Sequence, residues 1–227
     1  LGGKVYLAIN EFSKLLLQLI VLNVVWFVIN MPFMATMIQI GLSTETSQLY
    51  ILLTLVSLLL PVLFFPSLQA LISSTRKLVK NDGSFSFSDF FRSFFSGYKN
   101  SFVIGMFYAG LMTLAGSLVY SLRDSHFIFW LLPVVVIFYL NLAAFNLLYF
   151  DAHYDMPLSW KFKQVMVLIL TKPVFSLLNF VFFIGIQYII FSLSVIIFIL
   201  FGTAVTIYST YYLFLWKLKK IKNQQTH

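Results

Sequence analysis

The stretch VFSLLNFVFFIGIQYIIFSLSVIIFILFGTAVTIYSTYYLFLW, residues 174–216, runs for 43 positions without a charged side chain. As one helix it would extend about 64 Å at 1.5 Å per residue, roughly twice a hydrocarbon core of about 30 Å. A hairpin of two membrane-spanning helices resolves the excess, because in lipid a helix pairs its own backbone N–H and C=O groups. The turn belongs near Ser192 to Ser194, which gives spans at 174–193 and 195–216.

Four more uncharged runs precede this pair, at 15–40, 51–72, 101–122 and 127–150. Each is long enough to cross a bilayer as a helix. The chain is 60% hydrophobic and only 10% charged, against about 25% charged residues in a soluble domain. Such a sequence lacks the polar surface to coat a water-soluble globule. The fold class read from it is all-α: a polytopic membrane helix bundle of about six spans, in one membrane domain over 1–227. The chain begins at Leu1. Its first apolar run is too long for a signal-peptide core and has no small-residue cleavage site after it, so it reads as a retained span.

Charge gives a second, independent reading of topology. With six spans and the N-terminus inside, 14 of the 15 basic residues fall on the cytoplasmic face and only Arg123 lies outside. That asymmetry is the positive-inside pattern. Five spans would place the basic tail KLKKIK, residues 217–222, outside. Both termini are therefore expected in the cytoplasm and the protein in a bacterial plasma membrane. The net charge of +8 is used in orientation and in facing anionic lipid, and no spacing suggests a nucleic-acid partner.

Two segments between spans carry helical periodicity. Over 84–100, Phe87, Phe90, Phe91, Phe94, Phe95 and Tyr98 recur at three- and four-residue steps, with Asp89, Arg92, Ser93, Ser96 and Lys99 largely opposite. This predicts an amphipathic helix lying along the membrane. Ser86 and Asp89 have capping-box spacing, and Asn81, Asp82 and Gly83 form a turn signal before them. Over 157–171, Pro157 can start a helix that stops before Pro173. Its apolar stretch is too short to span, so an interfacial position is expected.

Residues with catalytic chemistry are scarce. There is no cysteine, and no Asp, Glu, Lys, Arg or His lies inside the six runs, where ion-coupled transporters and pumps place their working charges. His153 between Asp151 and Asp155 superficially resembles a metal cluster, but alternate residues point to different sides of a helix and no further ligand stands nearby. No metal, cofactor or enzymatic activity is expected. The spans hold amides instead. Asn23, Trp26 and Asn30 share one helical face, which could recognise a partner helix or hold the bundle together by hydrogen bonds. Small residues at four-residue spacing, Gly105, Ala109 and Thr113, permit close helix contact. Pro32, Pro61, Pro66 and Pro133 predict kinks.

Several of these positions form a pattern that resembles the YesL-like family of small bacterial membrane proteins, a family of unknown function. The pattern includes Asn23, Trp26 and Pro32. It is strongest at PSLQALISSTRKLV, with Pro66, Ala70, Arg76 and Lys77, and at FSFSDFFRSFFSGYKNSF, with Phe90, Phe94, Lys99 and Asn100. HYDMPLSWKFKQVMVLILTKP is similar to the family's stretch before its last two spans. One departure is Phe65, where the family usually has glycine before the proline.

The resemblance implies an accessory role beside carbohydrate ABC importers, since YesL-like proteins are typically encoded next to them. No P-loop is present to make this chain the ATPase, and no clear EAA loop marks it as the permease. The implied partners are membrane lipid, the importer's permease subunits and its ATPases. The candidate contact residues are Asn23, Trp26, Asn30, Phe90, Phe94, Arg92 and Lys99. A stand-alone facilitator for a sugar or another small polar solute, with the amides lining its path, is the competing expectation.

Overall fold

A computed structural model describes residues 2–80, 87–122 and 126–225. Among these residues every regular element is helical: α1 Gly2–Ile29, α2 Met31–Leu42, α3 Thr46–Leu59, α4 Phe65–Lys80, α5 Phe87–Leu122, α6 Phe127–His153, α7 Leu158–Thr171, α8 Pro173–Leu193, α9 Val195–Ile197 and α10 Thr203–Gln225. Single π-helical turns, Leu60–Phe64 and Phe198–Gly202, join α3 to α4 and α9 to α10. Among the described residues six helical segments are long and apolar enough to cross a membrane.

The last two spans follow the sequence reading closely. Ser194 adopts an extended backbone, φ −172° and ψ 135°, and its hydroxyl accepts from the Ile196 N–H at 3.2 Å, ending α8 and capping α9. The helix at 158–171 also appears with the expected limits, between Pro157 and Pro173. Its buried residues are Lys161, Val165 and Ile169, a single face at four-residue steps.

The first run is not one straight span. It divides at Asn30 into α1 and α2, because Pro32 has no N–H to offer Val28 and its ring crowds that carbonyl. Asn30 bridges the break. Its backbone N–H still reaches the Trp26 carbonyl at 3.0 Å, the Met34 N–H reaches back to Asn30 at 2.9 Å, and its side-chain amide donates to the Trp26 carbonyl at 2.8 Å.

The expected membrane-parallel helix over 84–100 and the span at 101–122 are one continuous helix, α5, of 36 residues. The two expectations merge because nothing between Lys99 and Ser101 stops a helix: there is no proline, and the Ser101 hydroxyl donates to the Gly97 carbonyl at 2.7 Å. A rod of that length measures about 54 Å and exceeds the hydrocarbon core by on the order of 20 Å. The asparagine turn at 81–83, the Ser86 cap, Arg123 and Asp124 lie outside the described residues.

Helix α4 is the axis of the bundle. Phe65 through Ile72 are all buried, and the helix packs against α5, α6, α10 and α1. By contrast α3, the other half of the same long helix, buries only Leu52. The packed core therefore gathers around α4, and the bundle is looser around α3.

The π turn at Leu60–Phe64 contains Pro61, and its wider loop absorbs the proline's missing donor. Opposite it, α5 presents Gly105, where an added Cβ would lie 2.6 Å from the Pro61 Cα. At Gly105 the small-residue stripe read from the sequence is thus a site of close backbone contact, while Ala109 and Thr113 line a cavity.

Candidate functional site

Polar groups collect where α4, α5, α6 and α7 meet, and the centre of the cluster is Asp151. Its Oδ1 accepts from Lys161 Nζ at 2.6 Å and from Asn100 Nδ2 at 3.1 Å, and its Oδ2 accepts from Gln69 Nε2 at 2.8 Å. The Asp151 and Lys161 side chains are each only 4% exposed. A buried carboxylate is costly unless paired and hydrogen-bonded. Here one cation and two amides, one from each neighbouring helix, meet that need.

Around this centre the same end of α6 is tied to two more helices. Arg76 on α4 donates to the Ala152 carbonyl at 2.6 Å. On α10, Tyr211 pairs through its hydroxyl with His153 Nδ1 at 3.0 Å, and Thr210 with the Tyr149 hydroxyl at 2.6 Å. Lys77 and Asp89 make a more open ion pair at 3.1 Å.

Chemically the cluster is a lock. Asp151 already accepts from three donors, so its carboxylate is committed to holding the helices together. His153 and Asp151 turn to different partners, and Asp155 is exposed. Among the described residues no three His, Asp or Glu side chains converge.

The residues singled out from sequence separate into two groups. Asn23, Trp26 and Asn30 are buried in the bundle, and the side-chain amides of Asn23 and Asn30 donate to groups of this chain. Asn23 Nδ2 donates to the Phe198 and Ile199 carbonyls at 3.2 and 2.7 Å, and its Oδ1 accepts from the Ala204 N–H at 2.8 Å. One amide thus serves backbone groups around the second π turn, whose register shift leaves the ordinary ladder incomplete. Asn30 also donates to the Ser67 hydroxyl at 2.7 Å, and the Trp26 ring stands edge-on to Phe64. In the packed bundle these three offer no surface to another chain. Phe90 is fully buried and Phe94 half-buried against the core. Arg92 and Lys99 are exposed, and Phe95 beside them is 72% exposed.

From sequence Asp151 stands beside His153 in a weak metal-like motif, and Lys161 is one of the topology charges. A signal was available: Lys161, Val165 and Ile169 fall on one face at four-residue steps, which puts a lysine on the apolar side of its helix. Such a lysine needs an acid.

A second feature is a cavity of about 1000 Å³ between α2, α3, α5, α6 and α8. Phe33, Phe64, Phe65, Phe145 and Phe183 form much of its wall, and Tyr108 donates to Asn141 Oδ1 at 2.8 Å within it.

Residues 19–121 match the model of a family described as a protein of unknown function, DUF624. The match takes in Trp26 and the Pro66 to Asn100 region on which the YesL-like resemblance is strongest, and it agrees with that resemblance. It includes Gln69 and Asn100 of the polar cluster and stops before Asp151 and Lys161. No curated protein and no solved structure matches the chain.

Proposed function

We propose that this chain is a non-catalytic accessory subunit of a bacterial carbohydrate ABC importer. It sits in the plasma membrane with both termini in the cytoplasm and packs against the permease. The observation that carries the reading is the length of α5: a rod of 36 residues that overreaches the bilayer and holds Arg92, Phe95 and Lys99 exposed in its first turns. Exposed arginine beside an exposed aromatic ring is the composition of an interface anchor. The basic side chains mark that end as cytoplasmic, where a permease's loops and ATPases would be met. The YesL-like resemblance supplies the identity of the partner.

The facilitator reading draws less support. Of the amides it needs, Asn23, Asn30, Asn146 and Asn179 are buried, and Asn23, Asn30 and Asn146 donate to groups within the chain. Ionisable side chains of the spans sit towards helix ends, which leaves no charge in mid-membrane for ion coupling.

The test compares both routes. Reconstituted alone into liposomes, the protein should leave sugar flux unchanged, whereas its deletion in cells should lower the abundance of one importer or the uptake of one glycan class. Robust flux through the purified protein would overturn the accessory reading.

A further inference from the structure

The space of about 1000 Å³ between α2, α3, α5, α6 and α8 opens to the outside of the bundle, so it is filled by whatever surrounds the protein there. Water is a poor occupant, since it needs several polar partners, the wall is mostly apolar, and four of its hydroxyls already donate within their own helices. Thr54 donates to the Tyr50 carbonyl, Ser57 to Thr54, Thr113 to Ala109 and Ser117 to Leu114, all within 2.9 Å. Tyr108 and Asn141 satisfy one another, and the Asn141 amide donates to the Ile137 carbonyl. A sugar, with a hydroxyl on most carbons, would find few partners here.

What remains is an apolar wall that continues to the outside of the bundle. Met37, Tyr50 and Leu53 line the cavity and are also 45%, 59% and 47% exposed. They lie among exposed apolar side chains of the same helices, such as Ile38, Ile51 and Leu58. In a membrane-spanning bundle that surface faces lipid. The opening beside α3 is therefore filled from the bilayer. We infer that the cavity is a lipid site, which takes an acyl chain of a bilayer phospholipid between α3 and the α5–α6–α8 wall. The looseness of α3 has the same cause: its partner on that side is a lipid chain.

Trp26 offers a probe. It is 3% exposed and its ring centroid lies 6.2 Å from that of Phe64, which lines the cavity. A protein with Trp26 as its single tryptophan (W130F, W160F, W216F) is reconstituted into vesicles of phosphatidylcholine with brominated acyl chains, and into unbrominated vesicles. Bromine in the cavity should quench Trp26 emission. Ala144→Phe, which fills the cavity from α6, should remove that loss. Gly116→Phe is the second filling variant, since an added Cβ there meets nothing within 4 Å. Loss of emission in the open protein that disappears in either folded variant supports the site. No bromine-dependent loss in the open protein, or an equal loss in the filled variants, overturns it.

Discussion

Lys161 on α7 and Asp151 on α6 lie 2.6 Å apart with 4% of each side chain exposed, so a helix too short to cross the membrane is fastened to the bundle by a buried charge pair. Removing one member of such a pair strands the other, at a cost of about 3–5 kcal/mol. Lys161→Met should therefore lower the thermal unfolding midpoint in mild detergent strongly. The double variant Asp151→Leu with Lys161→Met should recover part of the loss and not all, because Gln69 and Asn100 then lose their acceptor. A single variant as stable as the parent would show that the pair does not hold α7.

Gly105 and Gly110 lie in the same helix and should respond in opposite directions to alanine. At Gly105 the new Cβ would meet the Pro61 Cα at 2.6 Å, while at Gly110 it meets nothing within 4 Å. Backbone cannot swing aside as a side chain can, so Gly105→Ala should destabilise by about 1–3 kcal/mol, the usual range for overpacking. Gly110→Ala should be neutral or stabilise by up to about 1 kcal/mol through helix propensity. Parallel melting curves of the two variants check this, and equal effects would refute the close contact at the first π turn.

Asn23 holds the second π turn by donating and accepting at once. Leucine removes both functions and leaves polar backbone without its partner in an apolar setting, at about 1–3 kcal/mol for each buried group stranded. Aspartate keeps the acceptor for the Ala204 N–H and loses the donors. Both Asn23→Leu and Asn23→Asp should thus destabilise the purified protein, and neither should act chiefly on partner binding. Unchanged melting with lost co-purification would reverse that assignment.

The sequence carried the spans well because bilayer thickness and backbone pairing leave few solutions for an uncharged run. The hairpin at Ser194 and the limits of α7 followed from length, a serine and two prolines. The fusion of 84–100 with the third span was harder to see. Amphipathic periodicity reports which side of a helix is apolar, and it does not report where one helix ends and the next begins. Phe90 is buried while Phe87 is 55% and Phe95 72% exposed, so the aromatic stripe packs less uniformly than its spacing predicts. Asp151 escaped for another reason. Its partners come from Gln69, Asn100 and Lys161, far apart in the chain, and only tertiary contact shows that a charge at the end of a span is enclosed. Asn23 and Asn30 stand out as polar in the sequence, but choosing between partner and bundle requires the tertiary contacts: Asn23 meets the second π turn, and Asn30 meets Trp26 and Ser67.

Topology is testable with single cysteines in a chain that has none of its own. Thr46 begins α3 and Asn223 lies near the end of α10. With an even number of spans and cytoplasmic termini, a membrane-impermeant thiol reagent should label Thr46→Cys in intact cells and spare Asn223→Cys until the cells are opened. Labelling of Asn223→Cys from outside would refute the six-span orientation.

The exposed start of α5 separates partner binding from folding. Arg92 and Lys99 project from it and have no part in the Asp151 cluster, so reversing them should leave the stability within about 0.5 kcal/mol of the parent. A complementary acidic surface on a permease or ATPase would feel the change directly, since like charges brought together at an interface cost several kcal/mol. Arg92→Glu with Lys99→Glu should then reduce co-purification of importer subunits by about tenfold or more, equivalent to about 1.4 kcal/mol. Phe95→Ala, at a ring 72% exposed in the isolated chain, should weaken capture in the same direction without loss of stability. The buried variant Asn23→Leu supplies the contrast, because it should lower stability first and capture only through it. If the charge reversals leave capture unchanged while the importer still co-purifies, the contact lies on the lipid-facing sides of the spans, and the projecting end of α5 has another role.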